Sequence, residues 1–361
     1  MKSINKAWLT LNRVCNLRCK WCYAAGSGYD EKSNMAVDLA LRILAICKEL
    51  NVKQIDLIGG EPTLYPHLSE IIRFSNSLGI CTRLITNGIV LKNKTFLDSL
   101  VFSGLSSIDI SLKGFSERNY VESTGKNLYS DVLSAIRLVT AEKISCSVSF
   151  VLSTNNIDDY LYAIKDAVDS GAESFNFSFC CDCSPLFNEL TNGDYDVKTE
   201  ILEVVDKFQK SYDELNLITK GNFVLHQTFP LCVWNKKFIE DLIHKQQVIF
   251  SCQLADHDSI IFDTDGTILP CNLMSQMKIG KIDNDYVDAT SLIELWNNPR
   301  TVDFLNQLAF EIPDKECLDN CENWNLCLGG CPINWMNFSY PELKEAISSM
   351  VFTPPFTTSH K

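Results

Sequence analysis

Residues 8–22 read Trp8-Leu9-Thr10-Leu11-Asn12-Arg13-Val14-Cys15-Asn16-Leu17-Arg18-Cys19-Lys20-Trp21-Cys22, and the reading of this stretch decides the fold. Its first part, residues 8–12, is a short apolar run of strand length, and the cysteines begin where it ends. Working outward, residues 35–50 carry apolar side chains at helical spacing, and residues 54–58 form a second strand that ends at Gly59-Gly60-Glu61-Pro62. The alternation continues with helices over 68–78, 94–102, 129–141 and 157–170, and strands over 80–85, 107–112, 143–152 and 174–179. Helical and strand periods alternating at this spacing indicate parallel βα units of an α/β protein. They predict a partial (β/α)6 barrel of parallel strands, with a doubly wound sheet as the other arrangement. In either, ligands lie at the carboxyl ends of the strands, where the unusual motifs fall.

The chain has 361 residues, which at roughly 100–200 residues per domain predicts a large and a small unit. With Lys+Arg 32 against Asp+Glu 45 the net charge is −13, which disfavours phosphate binding and excludes nucleic acid as an expected partner. No run reaches the ~18 consecutive apolar residues of a membrane span, so no membrane partner is expected. Met1-Lys2-Ser3-Ile4-Asn5-Lys6 leads into the first strand without the apolar core of a signal peptide, which predicts a cytoplasmic location.

Sixteen cysteines stand out. In a reducing compartment they read as metal ligands or catalytic thiols before disulfides. Cys15, Cys19 and Cys22 form one group, Cys180, Cys181 and Cys183 a second, and Cys317, Cys321, Cys327 and Cys331 a third, with Cys252 and Cys271 upstream of it. Cys47, Cys81 and Cys146 read as small buried hydrophobes, while Cys232 has no evident place. A helix over 198–215 completes the first unit, 1–215, and residues 216–250 read as a bridge. From 251 to 340 the chain is turn-rich and cysteine-rich, a composition that needs a metal or another staple to fold. Residues 341–361 read as a helix near 342–350 and an irregular tail.

Cys15-x3-Cys19-x2-Cys22 after the first strand can fill three corners of a [4Fe–4S] cluster, leaving one iron open, with a zinc site as the alternative. On this motif the chain resembles the radical SAM superfamily over residues 6 to 180. Gly59-Gly60-Glu61-Pro62 is similar to the family's GGEP segment, which receives the methionine amino group of S-adenosylmethionine (SAM), and Glu61 would accept from that ammonium. The resemblance places Trp21 and Tyr23 on the adenine side of the cofactor. Thr86 and Asn87 at the end of the third strand, and Ser111 and Lys113 at the end of the fourth, join the same cofactor set. It further implies one-electron cleavage of SAM, giving a 5′-deoxyadenosyl radical that abstracts hydrogen from a substrate, with a flavodoxin or ferredoxin as low-potential electron donor.

The C-terminal cysteines resemble a SPASM or twitch-type auxiliary iron–sulfur domain carrying one or two clusters. The resemblance assigns Cys252, Cys271 and Cys331 to a barrel-proximal cluster and Cys317, Cys321 and Cys327 to a distal one, three thiolates each. The chain departs from the family in having three residues between Cys317 and Cys321 and no cysteine beyond Cys331. Cys232 either closes the proximal cluster or leaves one of its irons open. Two clusters, one cluster and a structural zinc site all remain compatible. Cys181 and Cys183, after the sixth strand, are candidate catalytic thiols able to return a hydrogen atom, against buried packing as the plainer reading. The expected substrate is a ribosomally made peptide undergoing thioether or carbon–carbon crosslinking or epimerisation; the alternative is oxidation or maturation of a small molecule or protein side chain. A leader-recognition domain is not evident ahead of the first strand, so a separate leader-binding protein is a possible partner.

Overall fold

The structure is a computed structural model that describes residues 3–24, 33–180, 197–226, 229–250, 252–311 and 315–336, with Pro341 and Glu345. Strands β1 (Lys6–Thr10), β2 (Gln54–Ile58), β3 (Cys81–Thr86), β4 (Ser107–Leu112), β5 (Ser145–Leu152) and β6 (Phe175–Phe179) pair in parallel, each with the next. This is the predicted partial barrel. Residues 216–250, read as a bridge, instead extend the same sheet with β7 (Phe223–His226) and β8 (Val248–Ile249), both parallel. At the opposite edge β9 (Ser259–Phe262) runs parallel to β1, and β10 (Thr267–Leu269) and β11 (Gly280–Lys281) follow antiparallel. The result is one open 11-stranded sheet in the order β11-β10-β9-β1-β2-β3-β4-β5-β6-β7-β8.

The helix expected over 198–215 is two, Val197–Lys210 and Tyr212–Thr219. Between them the Ser211 hydroxyl donates to the Lys207 carbonyl at 2.8 Å, a local bond of the kind that bends a helix. Most of the helix expected over 342–350 lies outside the described residues, as do Cys181 and Cys183. Of the single cysteines, Cys47 is buried and Cys146 half-buried, but Cys81 is exposed, against expectation. It opens β3 at the amino end of the strand, where period-two alternation points it away from the buried Thr82 and Leu84. Among the described residues no helix is long and apolar enough to cross a membrane.

The two faces of the sheet differ. Ala7, Leu9, Ile55, Leu57, Leu84, Ile108 and Phe150 are buried in the apolar core. The alternate positions carry Asp56, Arg83, Asp109, Ser147, Ser149 and Asn176, which bond to one another across strands. Asp56 accepts from Lys6 Nζ at 2.6 Å, Gln54 Nε2 at 2.6 Å, and Arg83 at 3.1 and 2.6 Å. Lys6 and Arg83 also stand over the Trp8 ring, 4.5 and 5.9 Å from its centre. Asp109 accepts from Ser147 Oγ at 2.9 Å, Ser149 Oγ at 2.5 Å and Asn176 Nδ2 at 3.1 Å. Both carboxylates are thus compensated by donors from neighbouring strands, as buried charge requires.

The Asp56 side chain is 0% exposed while its partners Lys6 and Arg83 keep 27% and 28%. Asp56→Ala would leave two cations facing each other without their anion. Urea unfolding is expected to show a loss of about 3 kcal/mol, the low end for breaking a buried pair because both cations reach water. Asp283→Ala, which breaks an ion pair to Arg42 whose carboxylate is 63% exposed, should cost under about 1 kcal/mol.

Candidate active site

After β1 the chain crosses the end of β2 at backbone distance. Gly60 N–H donates to Asn12 O at 2.9 Å and Glu61 N–H to Val14 O at 2.7 Å, so the loop that carries Cys15 is laid onto the glycine pair. A Cβ on Gly59 would stand 2.2 Å from Asn12 Oδ1, and one on Gly60 2.4 and 2.5 Å from the carbonyl oxygens of Val14 and Arg13. The glycines are therefore required by the cysteine loop itself. The rest of the loop is pinned from two other sides. Asn87 Nδ2 donates to Asn16 Oδ1 at 2.7 Å. Arg18 N–H and Lys20 N–H donate to Thr124 O at 3.3 Å and Ser123 O at 3.1 Å, at the end of helix Glu117–Thr124.

Glu61 is 1% exposed, and its carboxylate is already engaged. Oε1 accepts from Thr63 N–H at 3.0 Å, Thr63 Oγ1 at 2.6 Å and Thr86 Oγ1 at 2.6 Å; Oε2 accepts from Asn87 N–H at 2.8 Å. Three of the four donors fall on Oε1 and one on Oε2, so the protein fills most of the carboxylate's acceptor positions and one on Oε2 remains. It acts as a clamp, tying the end of β2 to the end of β3. Pro62 starts the one-turn helix Pro62–Leu64 that Glu61 caps.

These strand ends and the loop enclose a cavity of about 380 Å³. Cys15, Cys19, Cys22, Trp21 and Tyr23 line one side of it, with Gly59, Gly60 and Glu61 at the edge. Thr86, Asn87, Ser111 and Lys113 line the next wall, so the expected cofactor set, Pro62 apart, converges. Tyr23 OH donates to Gly59 O at 3.3 Å, and Trp21 Nε1 is buried with no partner among the described residues. The sequence reading missed the apolar wall of Ile58, Ile85, Val151, Phe179, Phe250 and Leu273. Period-two alternation at the strand ends marks Ile58, Ile85 and Val151, but Phe250 and Leu273 come from loops without a motif. Cys180 is buried and also lines the cavity.

Burial pushes the Cys15 thiol up to about 11 and Cys19 to about 12. Lys113, which lines the same cavity, opposes this on Cys19 more strongly than any other charge. Without a positive partner both thiols stay protonated at neutral pH; a metal core supplies that partner, and three thiols of one loop lining one cavity fit an iron–sulfur cluster.

The C-terminal cysteines divide into two sets. Cys252 and Cys331 line the cavity, and burial pushes Cys252 up to about 11 with Cys331 among the charges acting on it. Cys271 caps the turn Asn272–Met274, whose Leu273 reaches the cavity wall. Cys317, Cys321 and Cys327 do not line the cavity and face Cys232 instead. The two sets part at Leu328-Gly329-Gly330, three successive residues with φ of 48°, 74° and 77°. Of the C-terminal thiols, Cys327, Cys317 and Cys321 act on Cys232, one of whose sequence options was to close the proximal set.

A family model for the Radical SAM superfamily matches residues 9–168. A probable GTP 3′,8-cyclase from Saccharolobus islandicus is 26% identical over 202 residues, 55% of this chain and 64% of the relative, so the match spans less than two thirds of its length. A relative of the same description from Pyrococcus abyssi is 29% identical over 154 residues, 43% of this chain and 49% of its own. Among solved structures, Streptococcus suis SuiB bound to the precursor peptide SuiA shares the fold with a TM-score of 0.66 at 16% identity, over 95% of this chain and 75% of its own. The enzyme anSMEcpe with bound SAM and a peptide does so with a TM-score of 0.63 at 15% identity, over 96% and 99%. Residues 9–168 match the Radical SAM superfamily, whose cofactors are a [4Fe–4S] cluster and SAM.

Proposed function

We propose that Cys15, Cys19 and Cys22 hold the [4Fe–4S] cluster, that SAM lies between them and the Gly59-Gly60 edge, and that the substrate is a peptide whose modified residue enters the cavity below Cys252 and Cys331. The cluster held by these thiolates would pass one electron to SAM, cleaving its S–C5′ bond with release of methionine, and the group would thereby supply hydrogen-atom abstraction from the substrate, the first event of crosslinking or epimerisation. The chain's residues have separate tasks around it. The glycine crossing sets the height of the cysteine loop over β2, and Glu61 fixes β3 against it. Trp21 and Tyr23 offer ring surface and polar tips to the adenosine. Lys113 supplies a positive charge that acts on Cys19, within the same wall as Ser111. The apolar wall excludes water from a reactive radical.

The observation that carries the peptide reading is the lining. Its upper wall is aliphatic and aromatic, which suits an apolar side chain, and Lys113 is the one cation among the described lining residues. The nucleoside triphosphate named for the curated relatives carries several negative charges, which sites of that kind meet with several Arg or Lys side chains. The fold shared with SuiB and anSMEcpe, two proteins solved with peptides, supports the same reading.

Cys15→Ala/Cys19→Ala/Cys22→Ala should lower reductive cleavage of SAM to 5′-deoxyadenosine to background under anaerobic conditions, with far-ultraviolet circular dichroism unchanged. Undiminished cleavage would end the radical SAM assignment of these residues. Adding GTP should leave 5′-deoxyadenosine formation unchanged; a GTP-dependent rise with GTP consumption would overturn the peptide reading.

Gly60→Ala tests the crossing. The methyl group meets backbone oxygens of Arg13 and Val14, which cannot move independently of the cysteine loop. Cleavage of SAM should fall about a hundredfold, the scale of an ångström of misplacement, while the variant stays folded.

A further inference from the structure

Cys232 sits in the one-turn helix Leu231–Val233, in the stretch between β7 and helix Lys236–His244 that belongs to the barrel rather than to the C-terminal segment. Leu231 N–H donates to Cys327 Sγ at 3.2 Å, a contact across 96 residues that brings this turn against the C-terminal thiols. The groups facing the Cys232 thiol are Cys327, Cys317 and Cys321. Short local bonds hold those three: Cys321 N–H to Cys317 O at 3.1 Å, Trp324 N–H to Cys321 O at 3.0 Å, and Cys327 N–H to Asn323 O at 2.9 Å. Cys327 is buried, and Cys232, Cys317 and Cys321 are half-buried.

We propose that Cys232, Cys317, Cys321 and Cys327 form a closed four-thiolate site for a [4Fe–4S] cluster, its fourth ligand supplied by the barrel. The count of thiols matches one per iron of a cubane. The site supplies what the C-terminal segment lacks, a fourth ligand for Cys317, Cys321 and Cys327. It also leaves Cys252, Cys271 and Cys331 as a separate three-thiol set, two of whose members face the cavity. A cluster held in this way ties residue 232 to residues 317–327 and so fastens the C-terminal segment to the barrel at a point other than the β1–β9 pairing.

The proposal rests on the iron–sulfur reading of the C-terminal segment and is independent of which substrate is bound. The test uses the full chain, reconstituted anaerobically, with iron and sulfide counted and reduced clusters followed by electron paramagnetic resonance. Cys232→Ala should lose about four irons and four sulfides per chain, the same loss as Cys327→Ala, and the double variant should lose no more than either alone. Cys232→Ser preserves side-chain volume, so packing alone would leave the spectra unmoved; one auxiliary signal should shift or disappear. The signal of the Cys15/Cys19/Cys22 cluster should still respond to added SAM in every one of these variants, which separates failure of this proposal from failure of the radical SAM assignment. Full iron content with unchanged spectra in Cys232→Ala and Cys232→Ser would overturn the proposal. So would about one zinc per chain that Cys232→Ala removes without loss of iron, or loss in Cys232→Ala of the same signal that Cys252→Ala removes.

Discussion

The molecule depends on one crossing: the backbone after β1 lies directly on Gly59 and Gly60, with no room for a single methyl group between them. Two backbone hydrogen bonds, to Asn12 and Val14, fix the height of the loop, and everything the loop carries inherits that position. The residues that follow extend the constraint. Glu61 cannot rotate away because four donors from two strand ends hold its carboxylate, and Thr86 and Asn87, which supply two of those donors, themselves line the cavity. Removing any of these donors leaves a buried charge underpaired, which costs more than one ordinary hydrogen bond. The glycines and the glutamate thus fix the shape of the cavity whose edge they form.

Much of this was legible in the sequence where a pattern was local. Strands β2 and β4 and the helices Lys94–Phe102 and Tyr129–Ala141 fall where periodicity places them, because each is long enough to show its period and is flanked by turn residues. Strands β7, β8 and β9 were not legible. They have 4, 2 and 4 residues, too few to display alternation, and what makes them strands is pairing with partners remote in sequence, as β9 with β1. Cys81 misled for a related reason: it belongs to a strand with one buried face, but it lies on the other. The role of Glu61 was hidden because a motif names a residue without saying which atoms it bonds.

The polar side of the sheet explains why the cavity sits where it does. Along β2, Asp56 is committed to Lys6, Gln54 and Arg83, and two residues on Ile58 lines the cavity. Along β4, Asp109 is committed to Ser147, Ser149 and Asn176, and Ser111 lines the cavity. Each strand therefore changes from a satisfied polar network to an open wall within one repeat of its alternation. The networks fill the barrel's lower half without apolar bulk and hold neighbouring strands in register through charge-assisted bonds. The upper half keeps its volume free.

The C-terminal thiols illustrate how a short backbone irregularity distributes chemistry. Cys327 and Cys331 are four residues apart, and on a continuous helix they would share a face. Helix Trp324–Cys327 ends instead in three left-handed residues, and the next helical turn begins at Pro332. Gly329 and Gly330 adopt this conformation without a Cβ conflict, but Leu328 does so at a cost of about 1–2 kcal/mol. Its side chain lies on the cavity wall, and Trp335 Nε1 donates to Gly329 O at 2.7 Å, so the reversal is held by contacts on both sides. Without the reversal Cys331 would follow Cys327 towards Cys232. With it, Cys331 turns to Cys252 and the cavity, and a segment of a dozen or so residues serves two places in the molecule.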